Sequence, residues 1–195
     1  ANRSFAETLP VEGCTLDGET CRRPATPNSA TGLVKGWSVP WKFDSPWPTW
    51  SLETKGGAAS MSLESSQPLH PENVRYLRLK IDGLPADGQV RLLNDGYWGV
   101  AVAAGKTYDF SCYLRPAKGF SGGVRVGIVG QDGKLLAVET IGKLSGDRWT
   151  KHACTFTAAA TDKQAKFFLQ PLSAGTLDVD VVSLFPREMF KNRPN

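Results

Sequence analysis

Short runs in which apolar and polar positions alternate dominate this sequence. The clearest run is Gly96 to Arg115, GYWGVAVAAGKTYDFSCYLR, where two apolar-rich segments flank Ala103-Ala104-Gly105-Lys106. This arrangement predicts an antiparallel hairpin. Its second strand has an apolar face with Tyr108, Phe110, Cys112 and Leu114, and a polar face with Asp109, Ser111, Tyr113 and Arg115. The apolar face predicts a core contact. The polar face is a candidate ligand surface, although most polar sheet faces only meet water.

The same alternation predicts strands along much of the chain. They are Arg3–Ala6, Ala58–Glu64, Arg75–Ile81, Gly88–Leu93, Val124–Val129, Leu135–Ile141, Arg148–Thr157, Lys166–Gln170 and Thr176–Phe185. Asn94-Asp95-Gly96 and residues 131–134 predict turns, and no stretch has a sustained helical period. Short strands at near-regular spacing predict an all-β, antiparallel two-sheet sandwich that forms one domain over residues 1–195.

Four of the six tryptophans lie within GWSVPWKFDSPWPTW, where prolines exclude a helix or a central strand. Trp37 and Trp50 are predicted to fill the core, as is Trp149 further along. Trp41 and Trp47 lie between prolines, where an indole is harder to bury. Rigid loops with exposed indoles suit stacking on a sugar ring, so these two are candidate ligand contacts.

Charge and hydropathy exclude some classes of partner. The net charge of +4 is spread along the chain without a basic patch, which argues against a nucleic-acid partner. No apolar run approaches the roughly 20 residues that span a bilayer, and no signal peptide is recognisable. Both ends look like cuts through a longer polypeptide, so the sequence leaves export open.

The four cysteines fall into two pairs with different expectations. Cys14 and Cys21 lie seven apart in a polar loop, where a disulfide would indicate an oxidising compartment. Cys112 and Cys154 lie in predicted strands beside aromatic residues, which favours buried free thiols, with a bridge between the strands as the alternative. The sequence contains no CxxC motif, and its two histidines are far apart, which argues against zinc.

Catalytic chemistry finds little support in the sequence. Hydrolysis of a glycosidic bond needs two carboxylates facing each other across a cleft. Asp178 and Asp180 are two apart on one predicted strand, so they share a face. No HExxH or phosphate-binding loop occurs. We therefore expect a non-catalytic chain.

Three segments, taken in order, carry a family resemblance: NDGYWGVAVAAGKTYDFSCYLR, GDRWTKHACTFT and GTLDVDVVSLFPREMFKNRPN. They closely resemble the non-catalytic sandwich domain of family 51 glycoside hydrolases, which are mostly α-L-arabinofuranosidases with some endoglucanases. That domain is similar to family 4/9-type carbohydrate-binding modules, which are jelly rolls. The resemblance covers nearly the whole chain and is dense from Arg91 onward. It implies that Asn2-Arg3-Ser4-Phe5 enters the domain and that residues 190–195 lead to a catalytic barrel.

The resemblance implies a secreted, periplasmic or cell-surface module that binds plant cell-wall polysaccharide: xylan, arabinoxylan, arabinan or β-glucan. The expected sugar contacts are stacking on Trp41, Trp47, Tyr97 and Trp98, and polar contacts from Asn94, Tyr113, Arg115 and Gln170. Trp98 is equally compatible with a core position. The alternative is a structural accessory domain that packs on the barrel and has no affinity for sugar.

A structural calcium ion is a further implication of the resemblance. Related jelly rolls hold calcium with an acidic group directly after Asn-Arg-Ser-Phe and with an aspartate of the last strand. Asp180 matches that aspartate, but Ala6 stands where the family usually has glutamate. Glu7, one residue on, would point to the opposite face of a strand. Calcium at Asp180 would therefore need backbone carbonyls, and the sequence leaves this site open.

Overall fold

A computed structural model describes residues 15–17, 20–22, 49–96 and 99–188 of the chain. All regular elements in these ranges are strands: β1 (Thr15–Asp17), β2 (Thr20–Arg22), β3 (Trp50–Lys55), β4 (Ala58–Glu64), β5 (Tyr76–Gly83), β6 (Gln89–Asn94), β7 (Val100–Val102), β8 (Thr107–Ala117), β9 (Val124–Val129), β10 (Leu135–Ile141), β11 (Thr150–Thr157), β12 (Asp162–Pro171) and β13 (Gly175–Pro186). Within these residues no helix is long and apolar enough to cross a bilayer.

Two antiparallel sheets form the body of the fold, as the alternating sequence predicted. The six-stranded sheet has the order β10-β9-β12-β6-β3, with β7 also paired to β12. The five-stranded sheet has the order β11-β8-β13-β5-β4. β1 and β2 pair separately. Most neighbours in the sheets are not consecutive in the chain, as in a jelly roll, so the predicted all-β sandwich is confirmed.

The core lies between the two sheets and is built from the predicted inward faces. On β8, Tyr108, Phe110, Cys112 and Leu114 are all buried, as expected from the two-residue period. The Phe110 ring stacks on Phe167 of β12 with ring centroids 5.0 Å apart, a contact that joins the two sheets. The inward residues of β9 and β12 belong to the same core. The alternation therefore identified the buried face of these strands correctly.

The predicted hairpin at residues 96–115 is wrong in its pairing. The turn exists, since Lys106 N donates to Ala103 O at 3.1 Å. However, β7 before it pairs with β12 of the six-stranded sheet, whereas β8 after it pairs with β11 and β13 of the five-stranded sheet. The turn therefore carries the chain from one sheet to the other. β7 and β8 therefore do not pair with each other, and each pairs with strands of a different sheet.

The predicted burial of the two described tryptophans is correct for one and wrong for the other. Trp50 is buried in the core, as predicted. Trp149 was predicted to be a core ring, and this is wrong. Its half-buried ring packs edge-on against Tyr76 on the outer face of the five-stranded sheet, with centroids 5.2 Å apart. Trp37, Trp41, Trp47 and the predicted strand Arg3–Ala6 lie outside the described residues.

The described cysteines are free thiols. Cys112 is buried and Cys154 is half-buried, on the neighbouring strands β8 and β11. Burial raises the pKa of the Cys154 thiol to about 11 and that of Cys112 further, so both stay protonated at neutral pH. The predicted Cys14–Cys21 disulfide lies outside the part of the chain whose side chains are described.

Candidate functional site

The outer face of the six-stranded sheet carries polar side chains in a line across its strands. The strand register places Glu53 opposite Arg91, Arg125 opposite Gln170, and Thr140 opposite Arg125. Arg91 lies beside Gln170, one position past the Leu169–Leu92 pair. We call this line the polar row: Glu53 of β3, Arg91 of β6, Gln170 of β12, Arg125 of β9 and Thr140 of β10. It crosses five adjacent strands.

Arg91 is held firmly within the polar row. Its Nε donates to Gln170 Oε1 at 3.0 Å, and the Gln89 amide lies 3.1 Å from the same oxygen. Its guanidinium carbon lies 4.7 Å from the centroid of the Phe168 ring. Burial lowers the pKa of Arg91; Glu53 opposes this shift and the nearby positive charge of Arg125 adds to it. The guanidinium is thus oriented by a hydrogen bond and a ring, and it is partly desolvated.

A pocket of about 430 Å³ opens along the polar row. It is lined by Gln89, Arg91, Arg125, Glu139, Thr140 and Gln170 together with Leu135, Val138 and Phe168. Phe168 is 1% exposed and forms part of its floor, and Gly127 beside it has no side chain to displace the ring. Leu135 and Val138 are exposed on the edge strand β10. The pocket therefore combines amide and guanidinium groups with an apolar rim, a composition suited to small polar ligands.

The outer face of the five-stranded sheet is arranged differently, around a buried carboxylate. Asp178 of β13 accepts from Arg115 Nη2 at 2.7 Å and from Arg78 Nε at 2.7 Å. The Arg115 guanidinium carbon also lies 4.7 Å from the ring centroid of Trp149 and 5.0 Å from that of Tyr76. The hydrogen bond to Asp178 raises the pKa of Arg78. Both arginines are therefore engaged within the protein.

Residues 65–75, which we call the covering loop, close over this face. Gln67 O accepts from Arg115 Nη1 at 2.8 Å and from Trp149 Nε1 at 3.2 Å. Tyr76 Oη donates to Ser66 O at 2.8 Å. Arg115 is only 6% exposed as a result. The Arg115 end of the face that the polar side of β8 marked as a candidate ligand surface is thus occupied by the protein's own chain, whereas Ser111 and Tyr113 are half-buried and Asp109 is exposed.

Asp180, the predicted calcium ligand, lies buried beneath the same loop. Its carboxylate accepts from Asn73 Nδ2 at 2.7 Å and from Val181 N at 2.8 Å, and burial raises its pKa to about 7. Asn73 Oδ1 is buried without a hydrogen-bond partner, so it is one further oxygen that could face a cation. Calcium takes six to eight oxygens. Among the described residues, no three acidic, cysteine or histidine side chains are placed to hold a metal ion, so a calcium ion at Asp180 would need backbone carbonyl and amide oxygens.

The structure does not bring the predicted polar contacts together. Gln170 lies in the polar row, whereas Tyr113 and Arg115 lie on the outer face of the opposite sheet. Asn94 is 5% exposed, and its amide donates to Thr49 Oγ1 while its oxygen accepts from Gly96 N. Asn94 therefore braces the turn after β6. The predicted stacking residues Trp41, Trp47, Tyr97 and Trp98 lie outside the described residues.

Sequence reasoning missed Arg91, Arg125 and Gln89. A signal was present, because Gln89 and Arg91 are two apart in QVRLLN and Arg125 alternates with Val124 and Val126 in VRVGIV, so each strand has polar residues on the face away from its valines. What the alternation could not give is the order of the strands. Arg91 and Arg125 are 34 positions apart in sequence and flank the same strand only because β6 and β9 both pair with β12.

No protein-family profile matches the chain. Among solved structures, a family 4 carbohydrate-binding module (CBM4) has 16% sequence identity, a TM-score of 0.50 and coverage of 70% of this chain and 86% of its own. At that identity the likeness concerns the fold alone. The fold is thus one found in carbohydrate-binding modules.

A solved structure of the arabinose-bound MgGH51 α-L-arabinofuranosidase is more similar to this chain than the CBM4 structure is. It is 25% identical with a TM-score of 0.64, over 75% of this chain and 24% of that one. In sequence, the extracellular exo-α-L-arabinofuranosidase of Streptomyces chartreusis is 34% identical over 103 residues, 52% of this chain and 12% of that protein. The α-L-arabinofuranosidase 1 of Arabidopsis thaliana is 28% identical over 152 residues, which are 74% of this chain and 22% of that protein. The chain therefore spans less than a quarter of these relatives.

Proposed function

We propose that this chain is a non-catalytic carbohydrate-binding module, attached in its parent protein to the catalytic barrel of a family 51 glycoside hydrolase. The observation that carries the proposal is the polar row with its pocket on the outer face of the six-stranded sheet. Amide and guanidinium groups donate to and accept from sugar hydroxyls in fixed directions. The sandwich fold and the partial similarity to arabinofuranosidases support the same role.

The proposed ligand is a plant cell-wall polysaccharide such as xylan, arabinoxylan, arabinan or β-glucan. The parent protein would act in a secreted, periplasmic or cell-surface location, where such polymers are found. The predicted Cys14–Cys21 disulfide would suit that oxidising setting. Binding would hold the attached enzyme close to its substrate, which raises the effective substrate concentration without any catalytic group in the module.

A second candidate is a structural accessory domain that packs on the barrel without binding sugar. One observation favours it: among the described residues, no aromatic ring is exposed, and Phe168 in the pocket is covered by Arg91. Stacking on a bare ring is a major source of affinity in sugar binding. In this case the polar row would contact another part of the parent protein.

Affinity electrophoresis and titration calorimetry with the four polysaccharides separate the two candidates. We expect retardation by at least one polymer, and we expect Gln170→Ala to weaken it about tenfold, because Gln170 is the centre of the polar row. Gln164→Ala is the matched control, since Gln164 lies on the same strand but is exposed outside the pocket. Retardation by none of the polymers would favour the structural role, whereas equal loss in both variants would place the sugar contact away from Gln170.

A further inference from the structure

Arg91 and Arg125 are the two positive charges of the polar row, and Glu53 opposite Arg91 is its one negative charge. Neither Arg91 nor Arg125 forms an ion pair with any carboxylate of the described residues, in contrast to Arg78, Arg115 and Arg187. Their Cα atoms are separated by two strand spacings, about 10 Å, which is within the combined reach of two arginine side chains. The sheet therefore holds two guanidinium groups within reach of one another, on a face that the described residues leave open.

Such an arrangement costs free energy in the unliganded protein. Like charges repel, and Arg91 is in addition partly removed from water by Phe168 and by the strands beside it. Gln170 offers only a neutral oxygen, which orients Arg91 without cancelling its charge. Two carboxylates are nearby: Glu53 faces Arg91 along the row, and Glu139 lines the pocket. Neither is close enough to either arginine to pair with it, so an anion in the pocket would relieve the repulsion.

We infer that the polysaccharide bound at the polar row carries carboxylate groups, as uronic acid residues do. This inference rests on the proposed carbohydrate-binding function and names the chemical class of its ligand. The planar fork of a guanidinium donates two parallel hydrogen bonds to a carboxylate, and these are stronger than bonds to a neutral hydroxyl. Arg91 is already oriented by Gln170 and Phe168, so little side-chain freedom is lost on binding. Gln89, Gln170 and Thr140 remain to contact neighbouring hydroxyls.

Titration calorimetry on the 195-residue chain tests this with matched polymers. The probes are glucuronoxylan and polygalacturonate, each compared with the same polymer after its carboxyl groups have been reduced to alcohols. We expect at least one acidic polymer to bind about tenfold more tightly than its reduced form. The two polymers distinguish uronic acids carried as side groups from those that form the main chain.

Variants locate the effect at the polar row. In Arg125→Gln the ratio of acidic to reduced affinity should fall to about one, and Arg125→Lys should restore part of it because the charge returns without the fork. Arg125 is exposed, so these variants should fold, which circular dichroism would verify. Arg148→Gln is the control, since it removes the same charge from an exposed site before β11 and should keep the full preference.

The outcomes separate this inference from the proposed function. Equal binding of acidic and reduced polymers would overturn the inference while sugar binding itself stands. A preference that survives Arg125→Gln would also overturn it, by placing the acidic contact elsewhere. If no acidic, reduced or neutral polymer is bound, both the inference and the proposed function fall.

Discussion

At the scale of single residues, the two aspartates of β13 have opposite surroundings although they are two positions apart. Asp178 accepts hydrogen bonds from two guanidinium groups. Among the described residues, Asp180 accepts only from neutral donors, the Asn73 amide and the Val181 N–H group. Both carboxylates are fully buried, so the difference lies in charge and not in exposure. A buried carboxylate without a cation prefers to be protonated, which is why the pKa of Asp180 rises.

Asp180 should therefore make stability depend on pH. Burial raises its pKa from 3.8 to about 7, so the folded state binds the proton more tightly than the unfolded state between these values. Its contribution to the free energy of unfolding is full below about pH 4 and is lost as pH rises through about 7. We expect Asp180→Asn to remove this loss. Its free energy of unfolding should rise relative to that of wild type by on the order of 3 kcal/mol as the pH increases from 4 to 8.

Urea denaturation of both proteins across this pH range measures the effect. Asp82→Asn is the control, because Asp82 is half-exposed and pairs with Lys80 on the surface, where such pairs contribute about 0–1 kcal/mol. Parallel pH profiles for wild type and Asp180→Asn would show that Asp180 is not buried as a proton-binding carboxyl group.

At the scale of elements, β9 and β12 show how a glycine shapes the floor of the pocket. Gly127 lies opposite Phe168 in the β9–β12 register. A Cβ atom built on Gly127 would meet the Ala137 carbonyl oxygen and would lie 2.9 Å from two carbons of the Phe168 ring. The ring therefore lies over a position that must have no side chain. This places Phe168 beneath Arg91, and it couples strand packing to the geometry of the polar row.

Gly127→Ala should consequently destabilise the protein by about 1–3 kcal/mol, the usual range for overpacking. The comparison is Gly142→Ala, directly after β10, where a Cβ would meet no atom within 4 Å and the backbone is not left-handed. We expect that variant to stay within about 1 kcal/mol of wild type. Guanidinium denaturation measures both. Equal midpoints for the two variants would mean that the Ala137 carbonyl group and the Phe168 ring can both move aside freely.

At the scale of the whole molecule, the two sheets share one core, so the sandwich should unfold as a unit. Leu169 and Leu172 test this, because they lie three positions apart at the end of β12, the first fully buried and the second 39% exposed. Leu169→Ala should cost about 2–5 kcal/mol and Leu172→Ala less than about 1 kcal/mol. Tryptophan fluorescence and circular dichroism should give coincident transitions for each. Separate transitions would contradict a single core.

Much of this architecture follows from the sequence alone. The side-chain period of two is a property of each strand by itself, so the buried residues of β8, β9 and β12 could be assigned without knowledge of their neighbours. The same local signal predicted the all-β sandwich, the burial of Trp50 and the turn at residues 103–106. It also placed Asp178 and Asp180 on one face of the last strand.

Only the tertiary structure decided which strands are neighbours and which outer face the described residues leave open. Strand pairing joins residues far apart in the chain, so no local pattern could align Arg91, Gln170 and Arg125, or send β7 and β8 to different sheets. Nor could a local pattern show that Arg115 and Trp149 donate hydrogen bonds to the covering loop. The alternation of apolar and polar residues along a strand predicts which side chains point outward. What they meet there depends on the rest of the fold.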